Sequence, residues 1–91
     1  MVAGYNYFQI IGQVEKVDTD KKEIVVAVQR PFKNLNNQYE VDRLPIRLGN
    51  LLIELLKDTE LVGKAISVKG TSLIENEKIV MLAERLLFLG N

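Results

Sequence analysis

Residues 24–48 confine the chain to β-structure more tightly than any other stretch. They open as Ile24-Val25-Val26-Ala27-Val28, continue through Gln29-Arg30-Pro31-Phe32-Lys33-Asn34, break at 35–38 and return as Tyr39-Glu40-Val41-Asp42-Arg43-Leu44-Pro45-Ile46-Arg47-Leu48. On the returning arm Leu44, Ile46 and Leu48 fall on one face, and Tyr39, Val41, Arg43, Pro45 and Arg47 on the other. This is the period of two that a half-buried strand requires. The two arms read as a long hairpin with one apolar face. Burying Leu44, Ile46 and Leu48 does not call for arginines opposite them, so the second face is where a ligand surface is sought. Pro45 removes a ladder donor and marks its strand as an edge, or as bulged, at that point.

The rest of the chain supplies similar pieces. In 7–17, Phe8, Ile10 and Val14 share one parity and Gln9, Gln13 and Glu15 the other, which predicts a first strand with one core face. Gly12 within it predicts a bulge or tight bend, as a strand shared between two halves of a small barrel needs. Asp18-Thr19-Asp20-Lys21-Lys22 is a polar turn, with Asp bonding the local backbone. After Gly49 the period changes: Leu51, Leu52, Leu55 and Leu56 form the apolar stripe of a short helix over 51–58, with Asn50 as N-cap. The helix is expected to plug an open end of the sheet. Strand returns at Leu61-Val62-Gly63 and alternates through 64–71. Residues 73–78 connect, with Glu75-Asn76-Glu77 as the tip, and the last strand, 79–89, is apolar on nearly both sides. Such a strand is either covered or lies at a subunit contact.

Strand, strand, strand, short helix, strand, strand is the element order of the OB-fold, a five-stranded Greek-key barrel. The class is therefore all-β with one short helix, and 91 residues make a single domain over 1–91. The ligand surface of an OB-fold centres on strands two and three, flanked by the first and last hairpin loops. Twelve Lys and Arg balance twelve Asp and Glu, so attraction to a polyanion must come from local clustering. Without cysteine or histidine there is no disulfide framework, thiolate nucleophile or zinc cluster, and the usual general base is missing. Glu40 and Asp42 do not supply one, being placed along a strand without forming an acid–base pair. A binding protein is expected, not an enzyme, with no cofactor and no metal. No stretch approaches the roughly 20 apolar residues of a membrane span, so the expected address is cytoplasmic.

Several segments carry a resemblance. Asn6-Tyr7-Phe8-Gln9-Ile10-Ile11-Gly12-Gln13-Val14 resembles the first strand of bacterial single-stranded DNA-binding proteins. Val26-Ala27-Val28-Gln29-Arg30-Pro31-Phe32-Lys33-Asn34 is similar to that family's second strand and following loop, and Glu40-Val41-Asp42 to the opening of its third. Residues 61–70 look like its fourth strand, and Ala83-Glu84-Arg85-Leu86-Leu87-Phe88-Leu89 like its ending in Phe-Leu. The family usually has tryptophan at the end of strand three, where Arg47-Leu48-Gly49-Asn50 stands here. Its first loop is shortened to 18–22, and a protein without the family's acidic C-terminal tail for recruiting replication enzymes is expected. The build is similar to that of the primosomal replication proteins of the B type.

The resemblance implies sequence-independent binding of single-stranded DNA, or of RNA, in replication, recombination or repair. Such binding needs cations along the phosphates and aromatic faces under the bases, each stack worth roughly 1–3 kcal/mol. Arg30, Lys33, Arg43 and Arg47 supply the first, Phe32 and Tyr39 the second, and Arg43 and Arg47 can also stack through their guanidinium planes. Phe32 serves equally as a loop anchor and Tyr39 as a strand former. Tyr5 and Tyr7 stand between stacking on bases and packing on a neighbouring subunit, with packing preferred. Apolar first and last strands, together with the resemblance, imply a homodimer or homotetramer. The rival reading is an OB-fold protein-interaction module whose nucleic-acid face has decayed.

Overall fold

The alternations seen in the sequence become five strands in the computed structural model, which describes residues 1–90. These are β1 (Phe8–Asp18), β2 (Glu23–Lys33), β3 (Tyr39–Leu48), β4 (Ala65–Glu75) and β5 (Lys78–Phe88), with α1 (Asn50–Leu56) between β3 and β4. They close into a barrel in the order β1-β2-β3-β5-β4, which is the expected OB-fold. β1 serves both halves: Phe8 to Gln13 pair with β4, and Gln13 to Asp18 with β2. A short parallel ladder from Ile46↔Met81 to Leu48↔Ala83 joins β3 to β5 and completes the ring. Pro45 lies one residue before that ladder, where β3 has a neighbour only in β2, so its missing N–H falls beside a free edge.

Strand parity decides what is inside. Ile10 and Val14, Ile24 and Val26, Ile46 and Leu48, Ile66 and Val68 are buried in a single core cluster with Leu61 and Ala83. Polar turns close the hairpins as expected. Asp18 Oδ1 accepts from the Lys21 amide at 3.1 Å, and Asn34 Oδ1 accepts from the amides of Asn36 and Gln38 at 2.9 and 3.0 Å. Asn76 and Glu77 adopt positive φ at the last tip.

Four expectations are corrected. The bulge in β1 falls between Val14 and Lys16, not at Gly12. Gly12 is instead a close approach: a Cβ there would lie 2.4 Å from the Ala27 carbonyl oxygen. Asn50 does not cap α1. Gly49 holds the N-cap position with no side-chain cap, and Asn50 Oδ1 accepts from Lys22 Nζ at 2.7 Å. The buried side of α1 is Leu52, Ile53 and Leu56, which pack on the core at one end of the barrel, while Leu51 and Leu55 face solvent. Finally, Val62-Gly63 is a turn, with Gly63 at φ 90°. β4 begins only at Ala65 and runs through the supposed connection to Glu75.

Candidate nucleic-acid interface

Cross-strand pairing places the predicted site residues. Val25↔Pro45, Ala27↔Arg43, Gln29↔Val41 and Glu23↔Arg47 face each other across β2 and β3. Their parity is opposite to that of the buried Ile24, Val26, Ile46 and Leu48, so Arg43 and Arg47 stand on the outer face as expected. Neither is free. Arg43 Nε donates to Glu15 Oε2 at 2.8 Å, from the bulged turn of β1. Arg47 Nη1 donates to both oxygens of Glu75, at 3.0 and 2.9 Å, from the end of β4. All four side chains are partly exposed, so each pair is open to exchange with another anion.

Arg30 is not part of that row. It shares parity with Ile24, Val26 and Val28, and its partners Asp42 and Glu40 share parity with the core residues of β3. At this height the strands have left the barrel, so the inward-facing positions are open to water. Arg30 Nε and Nη2 donate to the two oxygens of Asp42, each at 2.9 Å, and Nη1 donates to Glu40 at 2.9 Å. The hydrogen bonds from Arg30 hold the Asp42 carboxyl below its usual range, against an opposing effect of desolvation, and Asp42 raises Arg30 in return. The four cations expected to run along the phosphates are thus split between two faces of the hairpin, with Arg30 apart from Arg43 and Arg47.

The rest of the site lies at the hairpin's end. A bulge sets Arg30, Pro31 and Phe32 against Glu40 alone, and pairing resumes at Lys33↔Tyr39. Lys33 Nζ sits 5.5 Å from the Tyr39 ring centroid, within cation–π range. Phe32 is 61% exposed and Tyr39 49%, enough open ring for a base to lie on. Leu48 is 2% exposed and belongs to the core, so the end of β3 presents no platform where the tryptophan would stand. Sequence reasoning missed the carboxylates: Glu15 and Glu75 each lie 28 residues from the arginine they bind, and strand pairing brings them together, Glu15 to Arg43 across β2 and Glu75 to Arg47 across the β3–β5 seam.

Among the described residues there is no group of three or more potential ligand side chains able to hold a metal ion. No helix there is long and apolar enough to cross a membrane.

No family model and no curated protein matches the chain. Solved structures do. A mitochondrial single-stranded DNA-binding protein of S. cerevisiae superposes with a TM-score of 0.77 at 13% identity, over 98% of this chain and 99% of that one. The Plasmodium falciparum single-stranded DNA-binding protein, in a complex with single-stranded DNA, gives 0.62 at 14% identity over 99% of both chains. The N-terminal domain of PriB from Thermoanaerobacter tencongensis, a dimeric structure, gives 0.59 at 19% identity over 94% and 98%. At these identities the likeness is one of fold.

Proposed function

We propose that the chain binds single-stranded nucleic acid without reading its sequence, as part of DNA replication, recombination or repair in the cytoplasm. The observation that carries this reading is the hairpin of β2 and β3. It ends in two exposed aromatic rings, Phe32 in the bulge of β2 and Tyr39 against Lys33, and carries Arg43 and Arg47 further along the strand that Tyr39 opens, on an OB barrel. Bases stack on the rings and phosphates run along the cations, a combination that tolerates any sequence because every base has a π-face. The proteins with this fold named above bind single-stranded DNA or, in the PriB case, form a dimer, which supports both the ligand and a homodimeric or tetrameric assembly. Ile11, Ile79 and Leu87 of the first and last strands are exposed and offer apolar area for such a contact. The work of the site is binding and involves no bond-breaking step.

The test is fluorescence polarisation with labelled oligothymidylate across a salt series. Binding below roughly 10 µM that weakens with salt is expected, since non-specific complexes commonly lie near or above that range. Phe32→Ala and Tyr39→Ala are each expected to weaken it about tenfold, one stack's worth. No binding at low salt would favour the protein-interaction reading instead.

A further inference from the structure

A different cluster of aromatic and cationic groups lies elsewhere on the barrel. Tyr5 and Tyr7 precede β1. Between them, Asn6 Nδ2 donates to the Ser72 carbonyl oxygen at 2.9 Å and fastens this segment along β4. The tyrosines, alternating with Asn6, share a side: their ring centroids are 5.2 Å apart at 58°, and they are 87% and 61% exposed. Beside them Lys69 and Arg85 stand directly opposite each other in the ladder of β4 and β5. Together with Gly70 and Glu84 these residues line a cleft of about 490 Å³.

The cleft holds two cations and one carboxylate, Glu84, and the cations are not paired with it. Among the described residues neither Lys69 nor Arg85 forms an ion pair with a carboxylate. Glu84, the extra residue of the bulge between Lys69↔Arg85 and Gly70↔Ala83, accepts instead from the Thr71 hydroxyl. Like charges directly opposite each other on a sheet destabilise it, and an anion between them relieves that cost. A two-fold contact with a second copy centred here would set Lys69 and Arg85 against their own duplicates. A ligand that is both anionic and planar suits the cleft better, and the tether at Asn6 lowers the entropy lost when the rings engage it.

We propose that this cleft is a second subsite for single-stranded nucleic acid, with bases stacked on Tyr5 and Tyr7 and a phosphate held between Lys69 and Arg85. The proposal rests on the function proposed above and lengthens the path of the strand. β1 lies between β2 and β4 in the barrel, so a strand leaving the hairpin of β2 and β3 crosses β1 to reach the cleft.

The experiment measures affinity for labelled oligothymidylates of increasing length, with the mass of each protein sample followed by sedimentation. The wild type is compared with Tyr5→Ala/Tyr7→Ala and with Lys69→Ala/Arg85→Ala. The first variant alters only residues outside the ladders, and the second only solvent-facing ends. Short oligonucleotides are expected to bind all three proteins alike. Longer ones should gain affinity on the wild type and lose about tenfold of it on either double variant at unchanged mass, the loss of about one stack. The proposal is overturned if the wild type binds and both variants keep its length dependence. It is equally overturned if the loss follows a fall in oligomeric mass, which would assign the cleft to self-association. A wild type that binds no oligonucleotide of any length would instead overturn the function itself, and this subsite with it.

Discussion

The outer face of β2 and β3 and the cleft beside Tyr5 and Tyr7 contain the same kinds of side chain but balance their charge differently. On the first, Arg43 is held by Glu15 and Arg47 by Glu75, while Arg30, on the reverse of the hairpin, is held by Asp42 and Glu40. In the second, Lys69 and Arg85 face each other without a carboxylate partner among the described residues. A phosphate arriving at the first face must displace a carboxylate, and it gains only the difference between two charge-assisted contacts. A phosphate arriving in the second displaces water and relieves a repulsion. Counting arginines along the sequence therefore overstates the pull of the hairpin and understates that of the cleft. The overall charge balance of zero hides this local unevenness.

The two regions also differ in how their backbones are built, and the largest expected effect tests that difference. Gly70 forms part of the cleft's floor, and a Cβ there would sit 1.9 Å from the Leu82 carbonyl oxygen and 2.9 Å from the Phe8 ring. The obstruction on one side is backbone, so Gly70→Ala should destabilise the barrel towards the upper end of the usual overpacking cost of about 1–3 kcal/mol. The hairpin face is a regular ladder from Glu23↔Arg47 to Gln29↔Val41, below its bulge, and Val41 at the end of that run is exposed. Val41→Ala there should change stability by no more than about 0.5 kcal/mol. Urea denaturation of both variants checks the contrast, which fails if the two midpoints move equally.

A second effect concerns the balance of charge. Removing the competing carboxylate, by Glu15→Gln or Glu75→Gln, should tighten oligonucleotide binding several-fold. It should also steepen the dependence of log affinity on log salt by about 0.7 per arginine released to a phosphate. Glu84→Gln in the cleft should leave the slope nearly unchanged, because Glu84 binds a hydroxyl and not a cation. Equal slopes for the Glu15, Glu75 and Glu84 variants would erase the distinction between the regions.

The smallest effect is one of pH. The Asp42 carboxyl is held below its usual range mainly by the hydrogen bonds from Arg30. The stability this contributes is fully present above the unfolded-state carboxylate pKa and is lost as pH falls through the lower folded-state value. Asp42→Asn should therefore differ most from the wild type near neutrality and converge with it in acid. Thermal unfolding followed from neutral to acidic pH should show that convergence. A gap that widened in acid would reverse the sign of the assignment.

Much of this architecture can be read from residue order because a strand writes its burial in a period of two. Ile24, Val26, Ile46 and Leu48 are core residues by parity and by structure alike, and the turn residues Asp18 and Asn34 act where their chemistry places them. The same parity, carried on from Val28, puts Arg30 on the inward face, apart from Arg43 and Arg47. The packed side of α1 was not legible. In so short a helix, choosing Ile53 over Leu51 and Leu55 depends on where the barrel's mouth lies, not on the stripe alone. Nor were Glu15 and Glu75, whose meeting with Arg43 and Arg47 depends on strand register, across β2 for the first and across the closing seam for the second. The cleft was half visible: Tyr5 and Tyr7 stood out, but their nearness to Lys69 and Arg85 comes from the pairing of β1 with β4 and of β4 with β5.

The three-pair parallel seam from Ile46↔Met81 to Leu48↔Ala83 bears on the order of events in folding. The other neighbours in the barrel share five or more registered pairs each, and the hairpins among them close short loops. The seam joins residues 35 apart, 46 and 81, farther than the hairpins though nearer than β1 and β4, and it has the fewest pairs to offset its loop-closure entropy. It is expected to form last and to open first, turning the ring briefly into a strip. Amide exchange along Ile46 to Leu48 would then be governed by a local opening and not by global unfolding, and the barrel would have a hinge line built into its own circumference.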